Sequence, residues 1–306
     1  MRGAGAANAR REARITRAMG TGERYAGDLC VRLSGEVDAP SGVLVVIPGL
    51  TDGPESLEYA RGGASALGVG CRARGAALAR FELSSSHDGY GTRTLEDDAR
   101  EIEALVEYVM KTRPSVREVT LLGHSTGCQS ICHFLSTRRA SAARVSKIVL
   151  QAGVSDRDWY DKDNGAEVMR AWIARAEAMA PEELMPADAP GTYGVPTNAR
   201  RYLSLAKPGG EDDWFSLDLF DGTNDAASKI PTLTGCEHID VRLVVSTQDE
   251  YVPYDAETVL AHAERVRASF ERVGVKSATS LFICANHDLS DMRPEDVPMF
   301  VDFVFS

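Results

Sequence analysis

Three residue types in one chain order carry the chemistry this sequence can be expected to do. Ser125 stands in Gly123-His124-Ser125-Thr126-Gly127, a G-x-S-x-G run. Asp249 opens Asp249-Glu250-Tyr251-Val252-Pro253, and His287 sits in Ala285-Asn286-His287-Asp288-Leu289. A serine hydroxyl is a weak nucleophile until a base takes its proton during attack. An imidazole, with a reference pKa of about 6.5, can do this near neutral pH and return the proton to a leaving group. A carboxylate fixes the imidazole tautomer and stabilises the imidazolium. Each residue alone has a plainer reading: a turn serine, a surface aspartate, a loop histidine. Their order and surroundings must decide.

The elements around them are those such a constellation needs. Residues 116–122 alternate and read as a strand, and 129–139 read as a helix. Between them, Gly123 and Gly127 suit a turn so sharp that side chains there would strike the neighbouring strand or helix. This is the nucleophile elbow of the α/β-hydrolases, which holds a serine in strained geometry at the end of a sheet. Residues 42–47 are continuously apolar, as expected of a strand buried on both faces of a parallel sheet. Further strands are expected at 25–33, 77–83, 145–151, 241–246 and 280–284. Helices are expected at 55–74, 95–112, 167–179, 256–272 and 296–305. Within 95–112, Ile102, Leu105, Val106 and Val109 fall on one face. Ser125, Asp249 and His287 each follow a strand, in α/β-hydrolase order. Asp249 is preferred to Glu250 because its D-x-x-V-P ending turns at once into the next helix. The expected fold is α/β, a mostly parallel central sheet flanked by helices, with a helical cap insertion.

In this fold the loop after the third strand gives one oxyanion-hole N–H, and the residue after the nucleophile gives the other. These are Leu50 and Thr126, with Gly49 and Thr51 beside them. The loop after 77–83 carries Ser85, His87 and Tyr90 at the carboxyl end of the sheet, where open α/β sheets bind ligands. His87 is expected to line the pocket rather than act as base, because it precedes the nucleophile and the base of this fold comes last. His124 and Trp159 complete the expected lining.

With 306 residues, 43% hydrophobic and 26% charged, the chain has the composition of an ordinary soluble protein. No apolar run approaches the ~18 residues of a membrane helix. A net charge of −11 argues against nucleic acid or an anionic membrane as partner. Six cysteines without a C-x-x-C pair read as reduced thiols of a cytoplasmic protein. Cys128 and Cys132 lie four apart but have no matching His/Cys pair, so core thiols are expected and neither a metal nor another cofactor. Residues 1–22 hold Arg2, Arg10, Arg11, Arg14 and Arg17 against Glu12, and read as a flexible tail or an organelle transit peptide. The oligomeric state is not legible. Residues 23–152 and 233–306 read as the hydrolase core, and 153–232 as the cap. That segment interrupts the sheet pattern, holds all three tryptophans (Trp159, Trp172, Trp214) and carries 15 acids against 8 bases.

Four stretches support a narrower resemblance. They are 49–53; 83–91 continuing through 94–98; 123–129, reading G-H-S-T-G-C-Q; and 151–158, reading Q-A-G-V-S-D-R-D. They resemble the domain-of-unknown-function family of α/β-hydrolases that includes the fungal fusarinine C esterase. The resemblance implies Ser125 as nucleophile and places Asp156 and Arg157 at the entry to the cap. It implies hydrolysis of a small-molecule carboxylic ester, of the siderophore kind or another metabolite. An acyltransferase or thioesterase, and a non-catalytic ligand-binding protein of this fold, are the competing readings. The acidic cap predicts that neutral or cationic esters are cleaved faster than anionic ones of equal length, the gap narrowing as salt rises. Measuring kcat/KM for such a pair at low and high ionic strength checks this; a preference for the anionic ester would contradict it.

Overall fold

The computed structural model describes residues 22–34, 39–57 and 63–306. The expected N-terminal tail, residues 1–22, lies outside this range except for its last residue. Part of the helix expected at 55–74 also lies outside it; residues 54–57 form a turn and α1 spans Gly63–Ala73.

Eight strands form one sheet in the order β1-β2-β4-β3-β5-β6-β7-β8. β1 (Glu23–Ala26) and β2 (Leu29–Ser34) are antiparallel, and β2 joins β4 (Ala76–Phe81) in the same sense. From β4 through β3 (Gly42–Ile47), β5 (Glu118–His124), β6 (Val145–Gln151), β7 (Asp240–Ser246) and β8 (Ser277–Ile283), every neighbour is parallel. The single strand expected at 25–33 is thus a hairpin. Gly27, with φ of 53°, takes the left-handed conformation that reverses the chain.

The alternation of β3 shows why its whole run is apolar. Val43, Val45 and Ile47 enter one core, while Leu44 and Val46 enter the other. The first core is covered by α2 (Leu95–Thr112), α3 (Thr126–Thr137) and α8 (Ala256–Arg272), the second by α1 and α9 (Val297–Phe305). The short α4 (Arg139–Ala142) leads into β6. Between β6 and β7 lie α5 (Asp156–Asn164), α6 (Ala166–Glu177) and α7 (Ala199–Ala206), of which only α6 was expected.

The β6–β7 segment packs in two places. Tyr160, Met169, Ala176, Met185, Tyr202 and Leu205 share a third cluster with Tyr90. Trp214, Phe215, Leu219, Phe220 and Ile230 instead join the first core. Among the described residues, no helix is long and apolar enough to cross a membrane.

α2 opens with a reciprocal cap: Thr94 Oγ1 accepts from Asp97 N–H, and the Asp97 carboxylate accepts from Thr94 N–H. Thr94→Ala should therefore destabilise the protein by about 1 kcal/mol. Urea unfolding, with a lowered midpoint and unchanged slope, measures it.

Candidate active site

Ser125 lies at the β5–α3 turn with φ of 52° and ψ of −125°, a left-handed backbone that an L-residue adopts only under constraint. The constraint is steric closeness. A Cβ on Gly123 would come 2.6 Å from the backbone of Gly127, and one on Gly127 would come 2.5 Å from the Ile47 carbonyl. The β3 loop presses just as closely, since a Cβ on Gly49 would sit 2.9 Å from Ser125 Cβ. The Leu50 N–H donates to Thr126 Oγ1 at 3.2 Å, so the loop and the start of α3 are linked directly.

Asp249 and His287 meet because the loops after β7 and β8 continue the sheet pairing. Thr247 N–H donates to the Ile283 carbonyl (2.8 Å) and Gln248 N–H to that of Ala285 (3.1 Å). His287 Nδ1 then lies 2.7 Å from Asp249 Oδ2, with both side chains buried. Glu250 Oε2 accepts the His287 N–H at 2.9 Å, and Gln151 Nε2 donates to the His287 carbonyl at 2.9 Å. The imidazole is thus held on its ring and on both sides of its backbone, leaving Nε2 as the basic nitrogen. Burial alone would lower its pKa; the Asp249 hydrogen bond and the charges of Asp249, Glu250 and Asp52 outweigh burial and raise it.

His124, whose ring centroid lies 4.8 Å from that of His287, shifts the opposite way. Burial, then the nearby His287, lowers its pKa. Its Nδ1 faces Gln151 Oε1 at 2.5 Å, and because Gln151 Nε2 is the donor to His287, Oε1 must accept. His124 therefore stays neutral with its proton on Nδ1.

Ser125, His124 and His287 open onto one cleft of about 600 Å³, inside the ~300–1,000 Å³ range of small-molecule sites. Leu50, Thr51, His87 and Trp159 also line it. Gly49 lies beneath, against Ser125. Ser85 and Tyr90 are not among the lining residues. Ser85 donates to the buried carboxylate of Asp98 at 2.6 Å, and Ser130 of α3 donates to the same group at 2.8 Å. Burial pushes that carboxyl up to about 7. Tyr90 is buried in the third cluster and donates to the Thr192 carbonyl at 2.8 Å. Cys128 and Cys132 are buried in the first core, where burial raises both thiols.

Several lining residues escaped the sequence reading: Asp52, Glu55, Asp156, Tyr193, Glu250, Tyr251 and Asp288. Asp52, Glu250 and Asp288 adjoin motif residues and could have been inferred from that position. Tyr193 had no local signal. The charge expected from residues 153–232 is also placed differently. Asp212 pairs with Arg201, while Asp213 and Asp218 pair with Arg157, so these acids are spent inside the segment. The carboxylates of the cleft come mostly from the loops after β3, β7 and β8.

Residues 16–306 match the family described as protein of unknown function, DUF1749. The chain belongs to this family of α/β-hydrolases. It is 28% identical over 224 residues to an UPF0613 protein of Schizosaccharomyces pombe, covering 69% of each chain. It is also 28% identical over 225 residues to the fusarinine C esterase sidJ of Aspergillus fumigatus, covering 58% of this chain and 62% of that one. Among solved structures, the siderophore hydrolase EstB of Aspergillus fumigatus superposes with a TM-score of 0.71 at 24% identity, over 92% of this chain and 94% of that one. The match to EstB bears out the α/β-hydrolase architecture.

The opposite shifts of the two histidines are measurable. An NMR titration should find His287 titrating above 6.5 and His124 below it. Glu250→Gln should lower the His287 value by removing a carboxylate. A His287 value below 6.5 would contradict the electrostatic account.

Proposed function

We propose that this chain is a carboxylic ester hydrolase in which Ser125 is the nucleophile, His287 the general base and acid, and Asp249 the orienting carboxylate. The observation that carries this reading is the Asp249–His287 pair, 2.7 Å apart, opening onto the same cleft as the strained Ser125. Ser125 Oγ attacks the ester carbonyl carbon as its proton passes to His287 Nε2. The oxyanion lies against the N–H groups of Leu50 and Thr126, each worth roughly 3–4 kcal/mol in such sites. Because Thr126 Oγ1 accepts the Leu50 N–H in this structure, the hydroxyl must turn aside or share that donor when the oxyanion forms. The alcohol then leaves with the proton from His287, giving an acyl-enzyme. Water, deprotonated by the same imidazole, hydrolyses this intermediate and restores Ser125.

The substrate class is a small-molecule ester, and the named relatives make siderophore esters the first to try. The carboxylates of the cleft disfavour an acyl-CoA, and with it the thioesterase or acyltransferase reading. A non-catalytic role would not require a buried, hydrogen-bonded Asp249–His287 pair. We read residues 153–232 as a cap that selects substrate, since Asp156, Trp159 and Tyr193 from this segment line the cleft. The buried thiols of Cys71, Cys128 and Cys132 accord with a reducing, cytoplasmic setting.

Wild-type protein should be labelled by a fluorophosphonate and hydrolyse p-nitrophenyl esters. Ser125→Ala should lose labelling and about a millionfold in kcat. Asp249→Asn should cost about ten-thousandfold, more than either Glu250→Gln or Asp288→Asn. Appreciable activity in Ser125→Ala, or Asp249→Asn as the mildest of the three carboxylate variants, would overturn the assignment.

A further inference from the structure

The cleft is lined by five carboxylates, those of Asp52, Glu55, Asp156, Glu250 and Asp288, and by no lysine or arginine among the described residues. Most of the acids have a task. Asp52 accepts from the Ser56 hydroxyl at 3.0 Å, Glu250 from the His287 N–H, and Asp288 from the Ser290 N–H at 2.9 Å. Asp156 differs from these three. Its Oδ2 is fully covered and has no hydrogen-bond partner. The helix it opens does not need it as a cap, because Ser155 Oγ already accepts the Asp158 N–H at 3.0 Å. Arg201, which acts on Asp156 electrostatically, is committed to Asp212 and to the Tyr90 carbonyl.

Three aromatic side chains line the same cleft as this carboxylate. Trp159 lies three residues along α5 and so shares a face with Asp156. Its indole Nε1 donates to Tyr193 Oη at 3.1 Å, and its ring meets that of Tyr251 edge-on, 5.3 Å between centroids. Tyr193 is 58% exposed and Tyr251 41%, although both are large and line the cleft. Part-exposed aromatic side chains in one cleft with an unsatisfied carboxylate suit one ligand chemistry, an organic cation. A carboxylate oxygen without a donor is costly in a sheltered site, and an ammonium supplies both the charge and the N–H groups. The ring faces add cation–π attraction.

We propose that Asp156, with the rings of Trp159, Tyr193 and Tyr251, forms a subsite for an alkylammonium group, so that the esters cleaved at Ser125 carry a positive charge. The subsite rests on the hydrolase reading only for its link to turnover; binding of the cation stands apart from it. Burial, and next the neighbouring Asp212, push the Asp156 carboxyl up to about 7. A cation seated there would reverse that shift.

The test compares n-hexylamine with n-hexanol by calorimetry, following Trp fluorescence in parallel. Wild type should bind the ammonium at least tenfold more tightly than the alcohol. Asp156→Asn should abolish that difference and Asp156→Glu should keep part of it. The kinetic arm compares p-nitrophenyl ε-aminocaproate with p-nitrophenyl heptanoate, and the ratio of kcat/KM should fall toward one in Asp156→Asn. Equal affinity for amine and alcohol in wild type, or an advantage that survives Asp156→Asn, overturns the proposal. If Asp156→Asn does not fold, Trp159→Leu is read in the same way: a retained tenfold advantage overturns it. Binding of the amine without hydrolysis of either ester would count against the hydrolase reading and leave the subsite standing.

Discussion

Everything at the mouth of the sheet depends on the left-handed backbone of Ser125. Such a conformation costs of the order of 1–3 kcal/mol for a residue with a side chain. It persists because β5 and α3 are each anchored in the core on either side of it, and because Gly123, Gly127 and Gly49 let three backbones approach to contact. The strain is not isolated. Of seven non-glycine residues with positive φ among those described, Thr51, Leu57, His87, Ser125 and Tyr193 line the cleft. The ordinary backbone lies in the sheet, and the unusual backbone is gathered where side chains must be presented rather than packed.

The same concentration holds for charge. His124 and His287 have rings 4.8 Å apart but shift oppositely, because only His287 has a carboxylate in hydrogen-bond contact. His124 loses basicity through burial and the nearby His287, and Asp52 at 3.6 Å does not offset this. Asp249 therefore does more than orient the ring: it keeps a sheltered imidazole basic. In the proposed mechanism, keeping His124 neutral also matters, since a second cation beside His287 would oppose the imidazolium that proton transfer from Ser125 would form.

Much of this architecture was legible from residue types alone. β3, β6 and α2 fall where the apolar patterns put them, because each is buried in a way that a period of 2 or 3.6 records. Gly123, Ser125 and Gly127 were legible because backbone contact restricts residue type, and such restriction survives in any sequence. What escaped depends on distance along the chain. Ser85 and Tyr90 sit in a loop at the correct end of the sheet, yet their side chains turn inward to Asp98 and the Thr192 carbonyl, partners 13 and 102 residues away. Tyr193 reaches the cleft from a turn between α6 and α7 with no periodicity to mark it. The β1–β2 hairpin was hidden because Gly27 and Asp28 interrupt a strand pattern only briefly. The charge of 153–232 could be counted but not placed, since pairing of its acids with Arg157 and Arg201 is a tertiary fact.

The end of β6 joins these strands of reasoning. Gln151 is fully buried, its carbonyl accepts the Ser125 N–H at 3.0 Å, and its side chain spans His124 and the His287 carbonyl. The next residue, Ala152, has φ of 50° and turns the chain away from the sheet. Four residues later the chain reaches Asp156 and then Trp159 on the wall of the cleft. A single strand end thus fixes the backbone of the serine, the tautomer of one histidine and the position of the other, and launches α5, which brings Asp156 and Trp159 to the cleft. A hydrophobic residue of similar size at 151 would leave the His287 carbonyl and the His124 Nδ1–H without partners in a buried place, where unpaired polar groups are costly. On the proposed reading, the chemistry and the choice of substrate are coupled through covalent neighbours at one strand end, which would make Q-A-G-V-S-D-R-D a single motif rather than a strand followed by an unrelated loop.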